Sequence, residues 1–233
     1  MGDVHGCTTE LEDLFDALHY RVDASGVWRP PPGRTAVFVG DLVDRGPRIS
    51  DALRSVMDMV AAGVAYAVPG NHDLQLARAL AGEDVPIVYG MDASLAQLAH
   101  EPGAFRARVL AFFDAIKGHY WFDDGRLVVA HTGLAERLHG VDTHESRMMA
   151  AYGVVTGEID GTDLAKRHSW LADYRGEAVV VYGHTPVDEA AWHGATIDID
   201  TGCVYGGRLT ALQWPERTLV SVPARERYHV RGD

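Results

Sequence analysis

Five short motifs along the chain pair glycine with side chains that can bind a metal ion or carry a proton. In chain order they are Gly2-Asp3-Val4-His5-Gly6, Gly40-Asp41-Leu42-Val43-Asp44-Arg45-Gly46, Gly70-Asn71-His72-Asp73, His131-Thr132-Gly133 and Gly183-His184. Their carboxylate, amide and imidazole groups form a mixed oxygen and nitrogen ligand set, which suits borderline divalent ions better than thiophilic ones. Two such ions held close together are a common device for hydrolysing phosphoesters. The motifs therefore predict a binuclear, metal-dependent phosphoesterase.

The expected metal ligands come from all five motifs. Within the first motif, Asp3 and His5 are separated by one residue, so on an extended segment both side chains point the same way and can reach one ion. The two oxygens of Asp41 can bridge two ions, and an amide oxygen and two imidazoles can complete the second ion. The predicted ligands are thus Asp3, His5, Asp41, Asn71, His131 and His184.

Four further residues are assigned to roles around the ions. His72 is expected to protonate the leaving oxygen, and Asp44 is expected to hold the imidazole of His72 in the required tautomer. Arg45 offers a bidentate fork to the phosphoryl oxygens. Asp200 is the candidate acceptor for the outer ring nitrogen of a histidine ligand. The predicted nucleophile is a water molecule that the two ions activate between them.

Apolar runs that precede the motifs predict the strands that position them. Residues 35–39, 64–68 and 178–182 each form a buried-type strand that ends near a motif. Because ligand sites collect at the carboxyl ends of parallel strands, the site is expected along one sheet edge. The predicted fold class is α/β, with two packed mixed β-sheets flanked by helices. Only Met1 precedes Gly2, so the β-strand before Gly2 is expected to be missing. Unless another segment fills the place of that strand, the first motif is expected to lie on a frayed terminus.

The rest of the chain is expected to form a helical cover and a tail. Residues 9–22 carry apolar side chains at helical spacing and predict an amphipathic helix. Residues 73–118 and 138–176 carry no ligand motif and are expected to form helices beside the site. The predicted phosphatase domain spans residues 1–224, and residues 225–233 form a charged C-terminal tail that is expected to fray.

Composition narrows the classes of function. The 233 residues carry a formal net charge of −12, which argues against a broad nucleic-acid-binding face, because such faces need clustered lysine and arginine. No apolar run approaches the roughly 20 residues of a membrane span, and no basic-then-apolar leader is found. The two cysteines, Cys7 and Cys203, make no disulfide framework and are expected to pack as small hydrophobic side chains. A cytoplasmic protein with no membrane partner is therefore expected.

The ordered motifs resemble those of the calcineurin-like metallophosphoesterase superfamily, in the branch that contains serine/threonine phosphoprotein phosphatases and diadenosine tetraphosphatases. A narrower resemblance, to the central phosphatase domain of bacterial polynucleotide kinase-phosphatase, rests mainly on the second half of the chain. The stretches that carry it include 152–158, Trp170 with 174–176, 179–186, 197–207 and 219–223.

The resemblance implies a manganese-dependent hydrolase, with Ni²⁺ or another transition metal as the alternative ion. The implied substrates are 2′-phosphate, 3′-phosphate and 2′,3′-cyclic phosphate ends of RNA or nucleotides, and a histidine at the place of His5 goes with diesterase capacity. Kinase and ligase domains flank the domain in that family, so they are expected partners in a full-length protein. Two alternatives stay open: a phosphoprotein phosphatase or dinucleoside tetraphosphatase of the same superfamily, and a metal-deficient scaffold without catalytic activity.

Overall fold

Short strands alternate with helices along the chain. The computed structural model describes residues 1–159, 165–168, 171 and 174–230; Trp170 and the last three residues of the tail lie outside this part. The helices are α1 (Thr8–Ala17), α2 (Ile49–Ala61), α3 (Asn71–Leu80), α4 (Met91–Ala99), α5 (Gly103–Ala115) and α6 (His144–Tyr152). The strands are β1 (Arg21–Val22), β2 (Trp28–Arg29), β3 (Ala36–Phe38), β4 (Ala65–Ala67), β5 (His119–Phe122), β6 (Leu127–Ala130), β7 (Val154–Ile159), β8 (Ala165–His168), β9 (Val179–Tyr182), β10 (Trp192–His193), β11 (Thr196–Asp198), β12 (Arg208–Gln213) and β13 (Thr218–Pro223).

The larger sheet has five strands in the order β10-β11-β9-β6-β5. Strands β6, β9 and β11 run parallel, and β5 and β10 pair antiparallel at the two edges. Every residue of β6 and β9 is buried, as expected for parallel strands that are covered on both faces. The parallel centre places the carboxyl ends of its strands at one edge of the sheet.

The second layer is built from two pairs of strands with the first two residues of the chain between them. β3 and β4 are parallel, and β12 and β13 form an antiparallel hairpin. The amino group of Met1 donates to the Val37 carbonyl oxygen at 2.7 Å, and the Val39 amide donates to Met1 at 3.0 Å. On the other side, the Gly2 amide donates to Thr210 at 2.8 Å. Met1 and Gly2 thus occupy the position of the first strand, and the expectation of a frayed start was wrong because hydrogen bonds hold both sides.

Hydrophobic clusters fill the space between the layers. One cluster lies between the two sheets, where Val39 belongs to the same packed group as Val181 and Ile197. A second packs α1, α2 and α5 against β3 and β4, with Phe15 and Leu53 fully buried. A third lies on the outer face of the five-stranded sheet, against α6. The order helix, sheet, sheet, helix confirms the predicted α/β fold class.

Two regions differ from the sequence-based expectation. Helix α1 ends at Ala17 rather than near residue 22, because His19 takes a positive φ of 63° and β1 pairs with β2. Region 138–176 contains the antiparallel pair β7–β8 as well as a helix. Region 73–118, by contrast, holds the expected helices α3, α4 and α5. None of the described helices is long and apolar enough to cross a membrane.

The C-terminal segment is held against the domain over its described part. The Arg225 amide and the Tyr228 hydroxyl both donate to Glu10 Oε1, at 2.9 and 2.8 Å. The amides of Tyr228 and His229 donate to the Val204 carbonyl oxygen at 3.0 Å. Glu10 is fully buried, so these are anchoring contacts. The expectation that the tail frays was therefore wrong for residues 225–230.

Candidate metal centre

Four of the motifs follow strands whose carboxyl ends face one region of the molecule. β3 and β4 lead to Asp41 and Asn71, and β6 and β9 lead to His131 and His184. Each of these strand pairs is parallel, so both members of a pair deliver their side chains at the same end. The packing of the two sheets brings the pairs together.

One group of possible ligands consists of His5, Asp41 and His72. One ligand atom from each lies within 4.8 Å of the other two, and all three side chains are buried. The His5 Nε2 atom is 3.5 Å from Asp41 Oδ2. The His72 amide, in the first turn of α3, donates to Asp41 Oδ1 at 3.1 Å. The structure thus places His72, to which the sequence gave only proton transfer, within reach of an ion as well.

A second group consists of Asp41, His131 and His184, whose ligand atoms again lie within 4.8 Å of one another. His131 Nε2 lies 3.4 Å from Asp41 Oδ2, 3.2 Å from Asn71 Oδ1 and 3.0 Å from His184 Nδ1. Asp41 therefore belongs to both groups, which is the position required of a carboxylate that bridges two ions.

Backbone carbonyl groups set the tautomers of two of the histidines. His5 Nδ1 lies 2.6 Å from the Val43 oxygen, and His131 Nδ1 lies 3.0 Å from the Val39 oxygen. A carbonyl oxygen can only accept, so each Nδ1 carries a proton and, in the neutral ring, each Nε2 presents a lone pair. The lone pair of His131 then faces the oxygen of Asp41, which is also an acceptor. Two acceptor atoms that face each other in this way, His131 Nε2 and Asp41 Oδ2, can both bind a divalent cation.

The same buried space concentrates negative charge. Asp3 is 3% exposed, and its Oδ1 atom has no hydrogen-bond partner among the described residues, whereas Oδ2 accepts from the His184 amide at 2.9 Å. Burial, reinforced by Asp200 and Asp41, raises the pKa of Asp3 well above its usual value. Burial also raises the pKa of Asp200 to about 6. Cations in this space would offset the repulsion and satisfy the unpaired oxygen, so the residues present fit a binuclear metal centre.

The histidines around the shared carboxylate, Asp41, balance part of this negative charge. Burial alone would raise the pKa of Asp41, but His131, His72 and His5 outweigh it and hold that pKa well below the usual range. Burial alone would lower the pKa of His131, but the Asp41 carboxylate outweighs it and raises that pKa. A second proton on His131 therefore competes with a cation for Nε2.

Arg45 reaches both histidines of the first group. Its guanidinium nitrogens lie 2.6 Å from His5 Nε2 and 2.7 Å from His72 Nε2. A guanidinium can only donate, so both ring atoms accept. Burial and, after it, this nearby cation lower the pKa of His5 well below its usual value. The cationic fork that the sequence predicted for phosphoryl oxygens thus lies at the centre.

Asp44 is tied to His72, as the sequence predicted. Its Oδ2 atom accepts from His72 Nδ1 at 2.6 Å. Its Oδ1 atom accepts from the hydroxyl of Ser94 at 2.5 Å, and its amide donates to the same hydroxyl at 2.8 Å. Ser94 is fully buried on α4, within the region expected to be only a cover. A single serine in a helix carries no motif, so the sequence offered no pattern that could have identified it.

Backbone strain is concentrated at the centre. Positive φ angles occur at His5 (42°), Asp41 (47°), Asp44 (70°), Arg45 (70°) and His184 (78°). Residues other than glycine rarely adopt positive φ angles. They keep such strained angles where the surrounding structure holds them in place, as at functional sites. The first motif is therefore a turn, and the expectation that Asp3 and His5 project together from an extended segment was wrong.

Two motif glycines permit close approach of backbone to carboxylates. A Cβ atom on Gly70 would overlap Asp41 Oδ1, and one on Gly183 would overlap Asp3 Oδ1. The carboxylate of Asp73, to which the sequence assigned no role, fixes the first of these contacts by accepting from the Gly70 amide at 2.9 Å. The glycines of the motifs thus pack directly on the side chains that they help to position.

Asp200 lies beside the centre but accepts no hydrogen bond from the ring of His5 or of His131. Its Oδ1 atom accepts from the Gly202 amide at 3.0 Å. The rings of His5 and His131 donate to main-chain oxygens instead. The predicted role of Asp200 as a ring acceptor is therefore wrong for those two histidines, because strand-end carbonyl groups already lie behind them.

Comparison with known proteins extends these observations. A model of the calcineurin-like phosphoesterase family matches residues 1–213. The chain is 38% identical over 228 residues to bis(5′-nucleosyl)-tetraphosphatase PrpE (asymmetrical) of Geobacillus thermodenitrificans, covering 96% of this chain and 93% of that protein. It is 39% identical over 230 residues to the protein of the same name from Halalkalibacterium halodurans, covering 97% and 93%. These relatives correct the narrower resemblance to polynucleotide kinase-phosphatase.

Solved structures share the fold. A crystal structure of a provisionally assigned diadenosine tetraphosphatase superposes with a TM-score of 0.66 at 28% identity, covering 96% of this chain and 91% of that one. A serine/threonine phosphatase from Saccharomyces cerevisiae superposes with a TM-score of 0.60 at 14% identity, covering 99% and 80%, and shows the fold alone. With the family model matching residues 1–213, the chain belongs to the calcineurin-like phosphoesterase family and is a phosphoester hydrolase.

Proposed function

We propose that the chain hydrolyses dinucleoside tetraphosphates asymmetrically, into a nucleoside monophosphate and a nucleoside triphosphate. The observation that supports metal-dependent hydrolysis is the position of Asp41, which belongs to both groups of possible ligands. The substrate class is supported by the names of relatives that are 38% and 39% identical over almost the whole chain. This substrate replaces the RNA ends implied by the narrower resemblance.

In this proposal six residues would hold two divalent ions, with Mn²⁺ favoured and Ni²⁺ as the alternative. When bound, the ions supply an activated water nucleophile and positive charge for the phosphoryl oxygens. The six ligands are Asp3, His5, Asp41, Asn71, His131 and His184. Four of the six, Asp3, His5, Asp41 and His131, are buried, and the scarcity of bulk water around them strengthens the charge interactions of the centre.

Three further residues act on the substrate directly or through a neighbour. Arg45 donates its guanidinium hydrogens to the phosphoryl oxygens. Once Arg45 turns from the ring of His72 to the phosphoryl oxygens, Nε2 of His72 is free to hold a proton for the leaving oxygen, and Asp44 keeps the other ring proton at Nδ1, 2.6 Å away. A phosphate leaving group holds negative charge readily, so tetraphosphate cleavage depends less on His72 than cleavage of an alkyl phosphate does.

Product analysis tests the proposal. With diadenosine tetraphosphate and Mn²⁺, we expect equal amounts of adenosine monophosphate and triphosphate, loss of turnover on chelation, and recovery when Mn²⁺ is restored. Two molecules of adenosine diphosphate per substrate would show symmetric cleavage and contradict the proposal. The Asp41→Asn variant should be inactive, whereas Asp142→Asn, the same change in an exposed ion pair with Arg147, should match the unmodified protein.

The same assay separates the alternatives. Faster metal-dependent turnover of a 2′,3′-cyclic nucleotide would favour RNA end healing, and faster turnover of a phosphopeptide would favour a phosphoprotein phosphatase. A folded protein that takes up no metal and turns over none of these substrates would favour the scaffold. The kinase and ligase domains expected as partners have no counterpart in the two relatives, since the match covers 93% of each.

A further inference from the structure

A cavity of about 500 Å³ lies between the loop that follows β11 and the C-terminal segment. This volume is within the range of roughly 300–1,000 Å³ that small-molecule sites occupy. Its lining includes one phenol ring, one carboxylate and two potentially cationic side chains: Tyr205, Asp188, Arg227 and His229. None of these residues belongs to the ligand groups described above, so the cavity is a separate subsite.

The cavity adjoins the metal centre through Arg45. The guanidinium carbon of Arg45 lies 5.4 Å from the centroid of the Tyr205 ring, and its nitrogens contact His5 and His72. One side chain thus touches both the ligand histidines and the cavity wall. On the other side, the Val187 amide donates to the main-chain carbonyl oxygen of Asp200 at 2.9 Å. This contact holds the wall of the cavity against the centre.

The C-terminal segment contributes Arg227, His229 and Val230 to the lining of the cavity. Tyr228, between the first two, donates its hydroxyl to buried Glu10 at 2.8 Å. Among the described residues, Arg227 has no carboxylate within ion-pair distance, unlike Arg225, which pairs with Asp13 at 2.7 Å. The fold therefore holds an uncommitted guanidinium at the cavity, in a chain whose net charge is −12.

The geometry points to a nucleotide subsite in this cavity, an assignment that rests on the proposed function. The occupant is the part of the dinucleoside tetraphosphate that extends past Arg45 from the scissile bond. Arg227 and His229 donate to its phosphate oxygens, for which a guanidinium fork is well matched. Tyr205 provides a ring face for the base, and Asp188 accepts from the ribose hydroxyls. The segment 227–229 is in this way a specificity element rather than a tail.

Replacement of Arg227 by alanine tests the subsite. In saturating Mn²⁺, we expect kcat/KM for diadenosine tetraphosphate to fall at least about tenfold, mainly through KM, because a charge-assisted contact is lost. Turnover of p-nitrophenyl phosphate, which is too short to reach the cavity, should change less than about twofold. The matched control is Arg108→Ala, which removes an exposed guanidinium paired with Asp58 on α2 and should affect neither substrate.

A second variant distinguishes binding from folding. Arg227→Lys keeps the charge without the fork and should retain part of the tetraphosphate affinity. Equal losses on both substrates, or unchanged tetraphosphate kinetics in Arg227→Ala, would overturn the subsite while leaving the proposed function intact. Turnover of p-nitrophenyl phosphate without any turnover of the tetraphosphate by the unmodified protein would instead overturn the proposed function, and the subsite with it.

Discussion

Replacement of Asp44 by asparagine tests the role of His72 as the proton donor while leaving the proposed metal ligands unchanged. The carboxylate is 1% exposed and accepts from His72 Nδ1 at 2.6 Å. A hydrogen bond to a charged group contributes about 1.5–3 kcal/mol, and about 1.4 kcal/mol corresponds to a tenfold change in rate. We therefore expect kcat/KM for β-glycerophosphate, whose alkoxide leaving group needs a proton, to fall roughly 10- to 150-fold.

Leaving-group comparison provides the assay. The p-nitrophenolate of p-nitrophenyl phosphate departs without a proton, so Asp44→Asn should reduce its hydrolysis only a few-fold. Ser94→Ala is the matched control, because Ser94 donates to the other oxygen of Asp44, at 2.5 Å, and its removal leaves the contact of Asp44 with His72 in place. The loss of activity in Ser94→Ala should be smaller and similar on both substrates. The Asp44→Asn, His72→Ala double variant should be no worse than His72→Ala alone. Equal losses of Asp44→Asn on the two substrates would refute the assignment of His72 as the acid.

Three other predictions concern metal binding, packing and pH. Asp41→Asn should lower the bound metal, measured by elemental analysis after Mn²⁺ loading, from two ions to one or none, and full occupancy would show that Asp41 is no bridge. Gly183→Ala should abolish activity and lower the Tm, because its Cβ would overlap Asp3 Oδ1; an unchanged Tm would contradict this packing. Burial raises the pKa of Asp198 to about 8, above its unfolded value of about 3.9. In protein kept free of metal by a chelator, the contribution of Asp198 to the free energy of unfolding is therefore fully present below about pH 4 and is lost as the pH rises through about 8. Asp198→Asn should remove part of that loss, measured as a smaller fall in Tm between pH 5 and pH 8; an unchanged fall would count against it.

The chemistry of the centre and its strand-end positions were predictable from the sequence. Each motif is local, since glycine, carboxylate and imidazole follow one another within a few residues, and an apolar run before a motif predicts the strand. The parallel pairing of β3 with β4 and of β6 with β9 then delivers Asp41, Asn71, His131 and His184 to one place. The link of Asp44 to His72 was expected for the same reason, because both belong to recognisable motifs.

The residues that support these motifs could not be predicted, because their partners are distant in sequence. Ser94 contacts Asp44 across 50 positions, and Arg45 meets Tyr205 only after the two sheets pack. The turn at His5, with its φ of 42°, depends on hydrogen bonds that the amides of the first motif donate to the carbonyl oxygens of Asp41 and Leu42. Local propensity therefore determined which side chains carry the chemistry, whereas long-range packing decided how they are oriented, what holds them, and that the C-terminal segment lies beside the centre.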